Sequence, residues 1–284
     1  MMETNSTPKK PRVDVENILA TKNLKLPKFV VRYLKRIIHQ DEINDFLTKS
    51  GHKHGIDFAN AAIEMLNVKI KVNNPENVPV TGRYIIVSNH PLGGLDGIAL
   101  ISTFGKVRKD IFFPANDLLL FLKNMNNIFI PLNKHGRNTH EGIQQFNSVL
   151  DSDALVLFFP AGLCSRKQKN EVCDLEWKKT VVTKARQYKR DIIPVYFNGH
   201  NSHFFYNLAN FRKFFRIKTN LEMLYLSDEM FKHRNKSFEI TVGEPISHET
   251  FTSEKRDIEW SAWLKEKVYS LKPEINKKKT LWRK

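Results

Sequence analysis

Along the first seventy residues, apolar positions recur at helical spacing. In the segment 27–38, Phe29, Val30, Tyr33, Leu34, Ile37 and Ile38 share one face, while Lys28, Arg32, Lys35 and Arg36 take the other. This is the pattern of a cationic amphipathic helix. Such a face either packs on a core or lies in the acyl boundary of an anionic membrane. Further helices are predicted over 41–48 and 56–66, so residues 1–72 form an N-terminal tail and amphipathic helical region, a candidate for membrane docking.

The pattern changes after Asn73-Asn74-Pro75 and the turn Pro79-Val80-Thr81-Gly82. Short β-branched and aromatic runs predict strands at 69–72, 84–88, 111–113, 127–131, 154–158, 192–197 and 238–242. Helical stretches are predicted between them at 95–103, 116–123, 139–150 and 176–188, with a last helix carrying Trp260, Trp263, Leu264, Val268 and Leu271 and stopping at Pro273. Alternation of this kind predicts an α/β fold: a mixed, mostly parallel sheet covered by helices on both faces, preceded by the helical prelude. Residues 73–284 form that second region, with its basic C-terminal helix and tail. In such sheets, sites gather where the carboxyl ends of strands open into loops.

Charge narrows the range of partners. Lys and Arg outnumber Asp and Glu by 46 to 30 in the 284 residues, a formal net charge of +16, which attracts polyanions of either kind, phospholipid or nucleic acid. Aromatic and cationic residues interleave in Asn201-Ser202-His203-Phe204-Phe205-Tyr206 and in Phe211-Arg212-Lys213-Phe214-Phe215-Arg216, which suits a membrane interface. Nucleic acid is the less favoured partner, because no RNA-binding or helix-turn-helix pattern accompanies them. No apolar run approaches the roughly eighteen residues needed to span a bilayer, so membrane contact is expected from one side only. The N-terminal residues lack the apolar core of a secretory signal, and the two cysteines, Cys164 and Cys173, have no zinc-site spacing. A reducing cytoplasm is the expected setting.

The chemistry gathers at predicted strand ends. Tyr84-Ile85-Ile86-Val87 runs into Ser88-Asn89-His90-Pro91-Leu92-Gly93-Gly94-Leu95-Asp96-Gly97. Glycines able to take positive φ let Asp96 fold back onto His90, fix its tautomer and leave the other nitrogen to accept a proton. Taken alone, the same residues also fit a helix-capping Asp96 beside an ordinary polar His90. A second turn, Asn133-Lys134-His135-Gly136-Arg137, supplies two cations, and a third, Phe159-Pro160-Ala161-Gly162-Leu163-Cys164-Ser165-Arg166, supplies backbone N–H groups, a hydroxyl and a guanidinium. Ile192-Ile193-Pro194-Val195 follows, and Asp174 and Trp177 stand three apart at a predicted helix start. A Cys164 nucleophile is not favoured, since no strong base lies near it in sequence. No Gly-x-Ser-x-Gly turn supports a hydrolase.

This order of blocks over residues 69–201 resembles the glycerolipid acyltransferase family, whose blocks read Asn-His-x4-Asp, a Phe-Ile-x-Arg strand end, Phe-Pro-Glu-Gly-Thr-Arg-Ser and Val-Pro-Val. Asn-His-Pro-Leu-Gly-Gly-Leu-Asp-Gly with Phe-Pro-Ala-Gly, a following Ser-Arg, Asp174 and Trp177-Lys178 is more similar to a bacterial subgroup labelled hemolysin, to which O-acyltransferases completing ornithine and glycine lipids are related. The resemblance implies that His90 is the general base and Asp96 its orienting carboxylate in transfer of a fatty acyl group from acyl carrier protein or coenzyme A to a lyso-lipid hydroxyl. It implies a substrate-binding set of Asn89, Gly93, Gly94, Lys134, Arg137, Pro160, Ala161, Gly162, Ser165, Arg166 and Asp174. Ser165, Arg166, Lys134 and Arg137 would hold an acidic headgroup or the phosphopantetheine phosphate. The oxyanion would fall to N–H groups of Gly93-Gly94 or of Ala161-Gly162.

Three departures from the family pattern bear on the acceptor. His90 and Asp96 are separated by five residues where the family has four, the second block lacks its arginine, and Ala161 replaces the glutamate. They shift the expected acceptor from lysophosphatidic acid to a lyso-aminolipid of the glycine or ornithine type, with 1-acyl-glycerol-3-phosphate as the alternative. From another class, a basic membrane- or nucleic-acid-binding protein with a degenerate site remains. The implied enzyme needs no bound cofactor and no metal, the acyl thioester being co-substrate, and works peripherally at the cytoplasmic face of the inner membrane.

Overall fold

The computed structural model describes residues 13–115, 122–132, 139–169, 171–217 and 219–273. Seven strands make one sheet: β1 (Lys69–Asn73), β2 (Tyr84–Ser88), β3 (Ile111–Ala115), β4 (Phe129–Pro131), β5 (Leu155–Phe158), β8 (Asp191–Asn198) and β9 (Ser237–Val242). Their order is β1-β9-β8-β2-β5-β3-β4, parallel throughout except where β8 meets β9. A mixed, mostly parallel sheet is what the strand pattern predicted. Polar β6 (Arg166–Gln168) and β7 (Glu171–Cys173) pair as a separate antiparallel hairpin that no apolar alternation announced.

Consecutive residues of the central strands feed opposite cores. Ile86, Leu157, Ile193 and Val195 join Phe58 and Ala59 of α4 (Gly55–Met65) and Ala99 and Leu100 of α5 (Leu95–Phe104). Ile85, Val87, Val156 and Ile192 join Phe146 of α6 (His140–Asp151), Val181 and Val182 of α7 (Thr180–Gln187) and Trp260, Leu264 and Val268 of α10 (Asp257–Ser270). Burial on both faces explains why these strands read as unbroken apolar runs. The prelude is α1 (Val15–Thr21), α2 (Lys28–Ile38), α3 (Gln40–Ser50) and α4. Residues on both sides of position 72 share one core, since α4 lies on α5 and β1 is hydrogen-bonded to β9.

The amphipathic face of α2 divides between its two possible fates. Ile37 is buried at 5% exposure, whereas Phe29 at the other end is 73% exposed. The helix predicted at 116–123 falls largely outside the described residues, and the one predicted at 176–188 starts later than expected. Residues 116–121 lie outside the described part, and Lys123–Met125 is a single tight turn. The helix predicted from residue 176 begins at Thr180, because 175–178 run as a loop in which the Trp177 indole donates to Asp174 and Lys178 N–H to Pro160 O. The aromatic segment after Ser202 is a helix, α8 (His203–Phe214), capped by the Ser202 hydroxyl and followed by a tight turn (Leu221–Tyr225) and α9 (Leu226–Lys232).

At the amino edge of the sheet, the buried Arg190 donates to five carbonyls, those of Tyr84, Val149, Leu150, Ser152 and Ala154. Burial pulls its guanidinium down to about 10, which still leaves it charged at neutral pH. One side chain thus ties β2, the end of α6 and the entry to β5 together. Arg190→Met strands these buried acceptors and is expected to cost about 3 kcal/mol or more, read as a lower denaturation midpoint with an unchanged slope.

Candidate active site

Strands β8, β2 and β5 are neighbours, with Val87 opposite both Phe158 and Pro194, and β8 runs on past the ends of β2 and β5 to Asn198. Their carboxyl ends release the loops 89–94, 159–165 and 198–201 on one side of the sheet. Asn89 extends the seam beyond β2: its side-chain amide donates to Phe197 O at 2.9 Å and its oxygen accepts from Phe197 N at 2.7 Å. With both ends of the amide used in this way and the residue 3% exposed, Asn89 clamps the end of β2 to β8.

His90 follows, with its Nδ1 2.9 Å from Asp96 Oδ2. An ionised carboxylate only accepts, so Nδ1 carries the proton and Nε2 keeps its lone pair. The imidazole face is stacked on Phe159 at 4.1 Å between centroids, and Phe159 meets Phe113 edge-on. Asp96 is wholly buried near the start of α5, where Leu92 N–H (2.8 Å) and Gly93 N–H (3.3 Å) share Oδ2 and Gly97 N–H (2.9 Å) reaches Oδ1. Burial alone would push this carboxyl up, but the His90 charge, the His90 hydrogen bond and the backbone donors together hold it below the ordinary carboxylate value. The pair therefore stays assembled until the pH falls through that lowered value.

Of the two glycines in the His–Asp turn, one takes the positive φ expected from the sequence. Gly93 has φ +80°, and a methyl added to it would lie 2.8 Å from Leu226 Cδ2 and 3.2 Å from Cys164 Sγ. Gly94 is extended at φ −167°, with open space where a methyl would go. Of the four N–H groups considered for an oxyanion, Gly93 N–H is engaged by Asp96 and Gly162 N–H by Phe159 O. The sequence candidates narrow to Gly94 and Ala161.

A second buried carboxylate holds the histidine backbone. Asp174 Oδ1 accepts from Ser165 Oγ at 2.6 Å and from His90 N–H at 3.2 Å, and Oδ2 accepts from the Trp177 indole at 2.8 Å. Ser165 N–H donates to His90 O at 2.7 Å, so His90 is gripped at both its N–H and its C=O. The Tyr269 hydroxyl accepts from Asp174 N–H at 2.7 Å. Asp174, Ser165 and Trp177 are each at most 1% exposed.

Arg166 lies deeper, 2% exposed, with Nη2 on Glu222 at 2.9 Å and Nη1 on Cys164 O. Ser165, Arg166 and Asp174, expected to bind substrate, lie in the floor under His90 with their polar groups paired in the interior. Pro160 and Ala161 are buried beside them, and Gly162, at φ +67°, is half-buried. Lys134 and Arg137 lie outside the described residues. Phe159 stood in the quoted block without a role, whereas Tyr269 and Glu222 come from distant sequence and carried no local signal. Burial raises the Cys164 thiol, consistent with its reading as an inert side chain. Among the described residues no group of three or more His, Cys, Asp and Glu could hold a metal, and no helix is long and apolar enough to cross a membrane.

The two glycines give opposite predictions. Gly93→Ala must adopt a left-handed backbone and displace Leu226, so it is expected to lower stability by about 1–3 kcal/mol and to abolish activity. Gly94→Ala is expected to fold with wild-type stability. Thermal melting of both variants checks this.

Comparison with known proteins bears on the whole chain. The model of a family described as Acyltransferase matches residues 13–277. A lyso-glycine lipid O-acyltransferase of Bacteroides thetaiotaomicron is 47% identical over 91% of this chain and 97% of its own length. A protein of the same description from Phocaeicola vulgatus is 46% identical over 91% of this chain and 95% of its own length. Among solved structures, the 1-acyl-sn-glycerophosphate (LPA) acyltransferase PlsC of Thermotoga maritima aligns with a TM-score of 0.47 and 18% identity over 95% of this chain and 90% of that one. A match across nearly the whole chain, with two relatives near half identity, decides the assignment: the chain belongs to the acyltransferase family.

Proposed function

We propose that this acyltransferase moves a fatty acyl group from an acyl carrier protein or coenzyme A thioester to the hydroxyl of a lyso-aminolipid of the glycine-lipid type. The acceptor class is supported by the two relatives named for that activity. The chemistry is supported above all by His90 Nδ1 at 2.9 Å from a buried Asp96 carboxylate, which leaves Nε2 as the base.

In the proposed reaction, Nε2 takes the proton of the acceptor hydroxyl as its oxygen attacks the thioester carbonyl. Asp96 stabilises the imidazolium that forms. The tetrahedral oxyanion is met by the Gly94 or Ala161 N–H. Collapse breaks the carbon–sulfur bond, and the thiolate leaves with the proton returned from His90, giving an ester and a free thiol. His90 needs no mobility for this, because Asp174, Ser165 and Phe159 fix its backbone and ring. Lys134 and Arg137 are the proposed cations for the acceptor's carboxylate or the donor's phosphate. The lipid substrate and the +16 charge support work at an anionic membrane surface, on its cytoplasmic face.

The test is to incubate purified protein and labelled acyl thioester with lyso-glycine lipid, lyso-ornithine lipid and lysophosphatidic acid. Acylation of the glycine lipid above the others is expected, and preference for lysophosphatidic acid would overturn the acceptor assignment. His90→Ala is expected to lose about 10²–10⁴-fold in kcat. Asp96→Asn is expected to lose activity, because the imidazole loses the carboxylate that fixes its tautomer and steadies the imidazolium.

A further inference from the structure

The exposed rings of α8 are not explained by acyl transfer. Phe211, Phe214 and Phe215, in and just after the last turn of α8, are 55%, 82% and 56% exposed and stand beside the exposed Lys213 and Arg216. Apolar surface of this extent is rarely left bare without a partner. α8 packs on the turn Leu221–Tyr225, and that turn packs on α2 with its bare Phe29. The Tyr33 and Tyr225 hydroxyls hydrogen-bond at 2.7 Å and join the two faces. Aromatic rings set among cations match the headgroup layer of an anionic bilayer in both polarity and charge.

The same turn also faces inward. Glu222 is fully buried between two guanidiniums, Arg166 Nη2 at 2.9 Å and Arg212 Nε at 3.0 Å. Arg212 belongs to the exposed helix. Arg166 follows Ser165, whose N–H holds His90 O. Leu226, directly after the turn, is the residue that stands against Gly93. Within five residues, 222–226, the chain touches both catalytic loops and, through Tyr225, the outer helix α2.

We propose that this turn couples the lipid surface to the site: seating α8 and α2 on an anionic bilayer orders the loop under His90, with Glu222 as the positioning residue between Arg212 and Arg166. The proposal rests on the reading that the protein works at a membrane. Separating a buried carboxylate from its cationic partners is costly, so Arg212, Glu222 and Arg166 move as a unit, and what fixes α8 fixes residues 164–166.

Hydrogen exchange on the full chain, with and without vesicles of phosphatidylglycerol in phosphatidylcholine, tests this without depending on activity. In the wild type, α8 amides and those of residues 164–166 are both expected to exchange at least fivefold more slowly on vesicles. In Arg212→Met and Glu222→Gln, α8 should keep its protection while the loop loses its own. Arg212→Met, at the rim of the triad, keeps the test open should the buried Glu222→Gln variant fail to fold. With vesicle-borne acceptor, kcat should fall at least fivefold in these variants and KM should stay the same. A wild-type loop unmoved by vesicles, an α8 that gains no protection, or variants that respond like the wild type would each overturn the coupling. The expected exchange pattern in a protein that acylates no lyso-lipid would sustain the coupling and refute only the proposed acceptor.

Discussion

The carboxylate of Asp96, wholly buried, is the constraint that shapes the candidate site. A bare ion in that position would be prohibitive, so the turn must deliver donors to it from several directions, which it does with His90, Leu92, Gly93 and Gly97. That demand explains the left-handed Gly93, which brings two successive N–H groups within reach of one oxygen. It also explains the tautomer of His90, since the ring can approach a crowded carboxylate only as a donor. The arrangement proposed for catalysis is therefore the one that makes burial of the charge tolerable.

A second buried carboxylate extends the same logic. Asp174 receives only neutral donors on its side-chain oxygens, from Ser165, His90 and Trp177, and so gathers the hairpin loop, the strand-end loop and the approach to α7 around the histidine. Sheet order makes this possible. With β2 between β5 and β8, loops far apart in sequence leave the sheet side by side, and Asn89 locks one of them to β8. Ser165 and Asp174, expected from the sequence to bind substrate, hold the His90 backbone in place.

What could be read in advance follows from the range of the forces involved. The two-sided burial of Ile85, Ile86 and Val87 leaves an unbroken apolar run, so the sheet and its helices were legible, as was the His90/Asp96 turn, whose chemistry is local. The paired, interior state of Arg166 was not, because its partner Glu222 lies 56 residues away and a buried guanidinium has the same letter as an exposed one. Trp177 looked like a helix-start anchor, yet its indole is fixed by Asp174 in a loop. The short polar hairpin 166–173 carried no alternation to detect. In α2, the apolar stripe was plain, but its division into a packed end and a bare end depends on where α9 and the turn Leu221–Tyr225 arrive.

Asp96 holds His90 with the proton on Nδ1 and a free lone pair on Nε2. Nitrogen-15 NMR of the imidazole, with His90 assigned by comparison with His90→Ala and recorded where the ring is neutral, measures this directly. A protonated Nδ1 with a downfield, carboxylate-bonded proton and an unprotonated Nε2 is expected, with loss of that preference in Asp96→Asn. A neutral His90 protonated on Nε2 in the wild type, or a tautomer indifferent to Asp96→Asn, would contradict it.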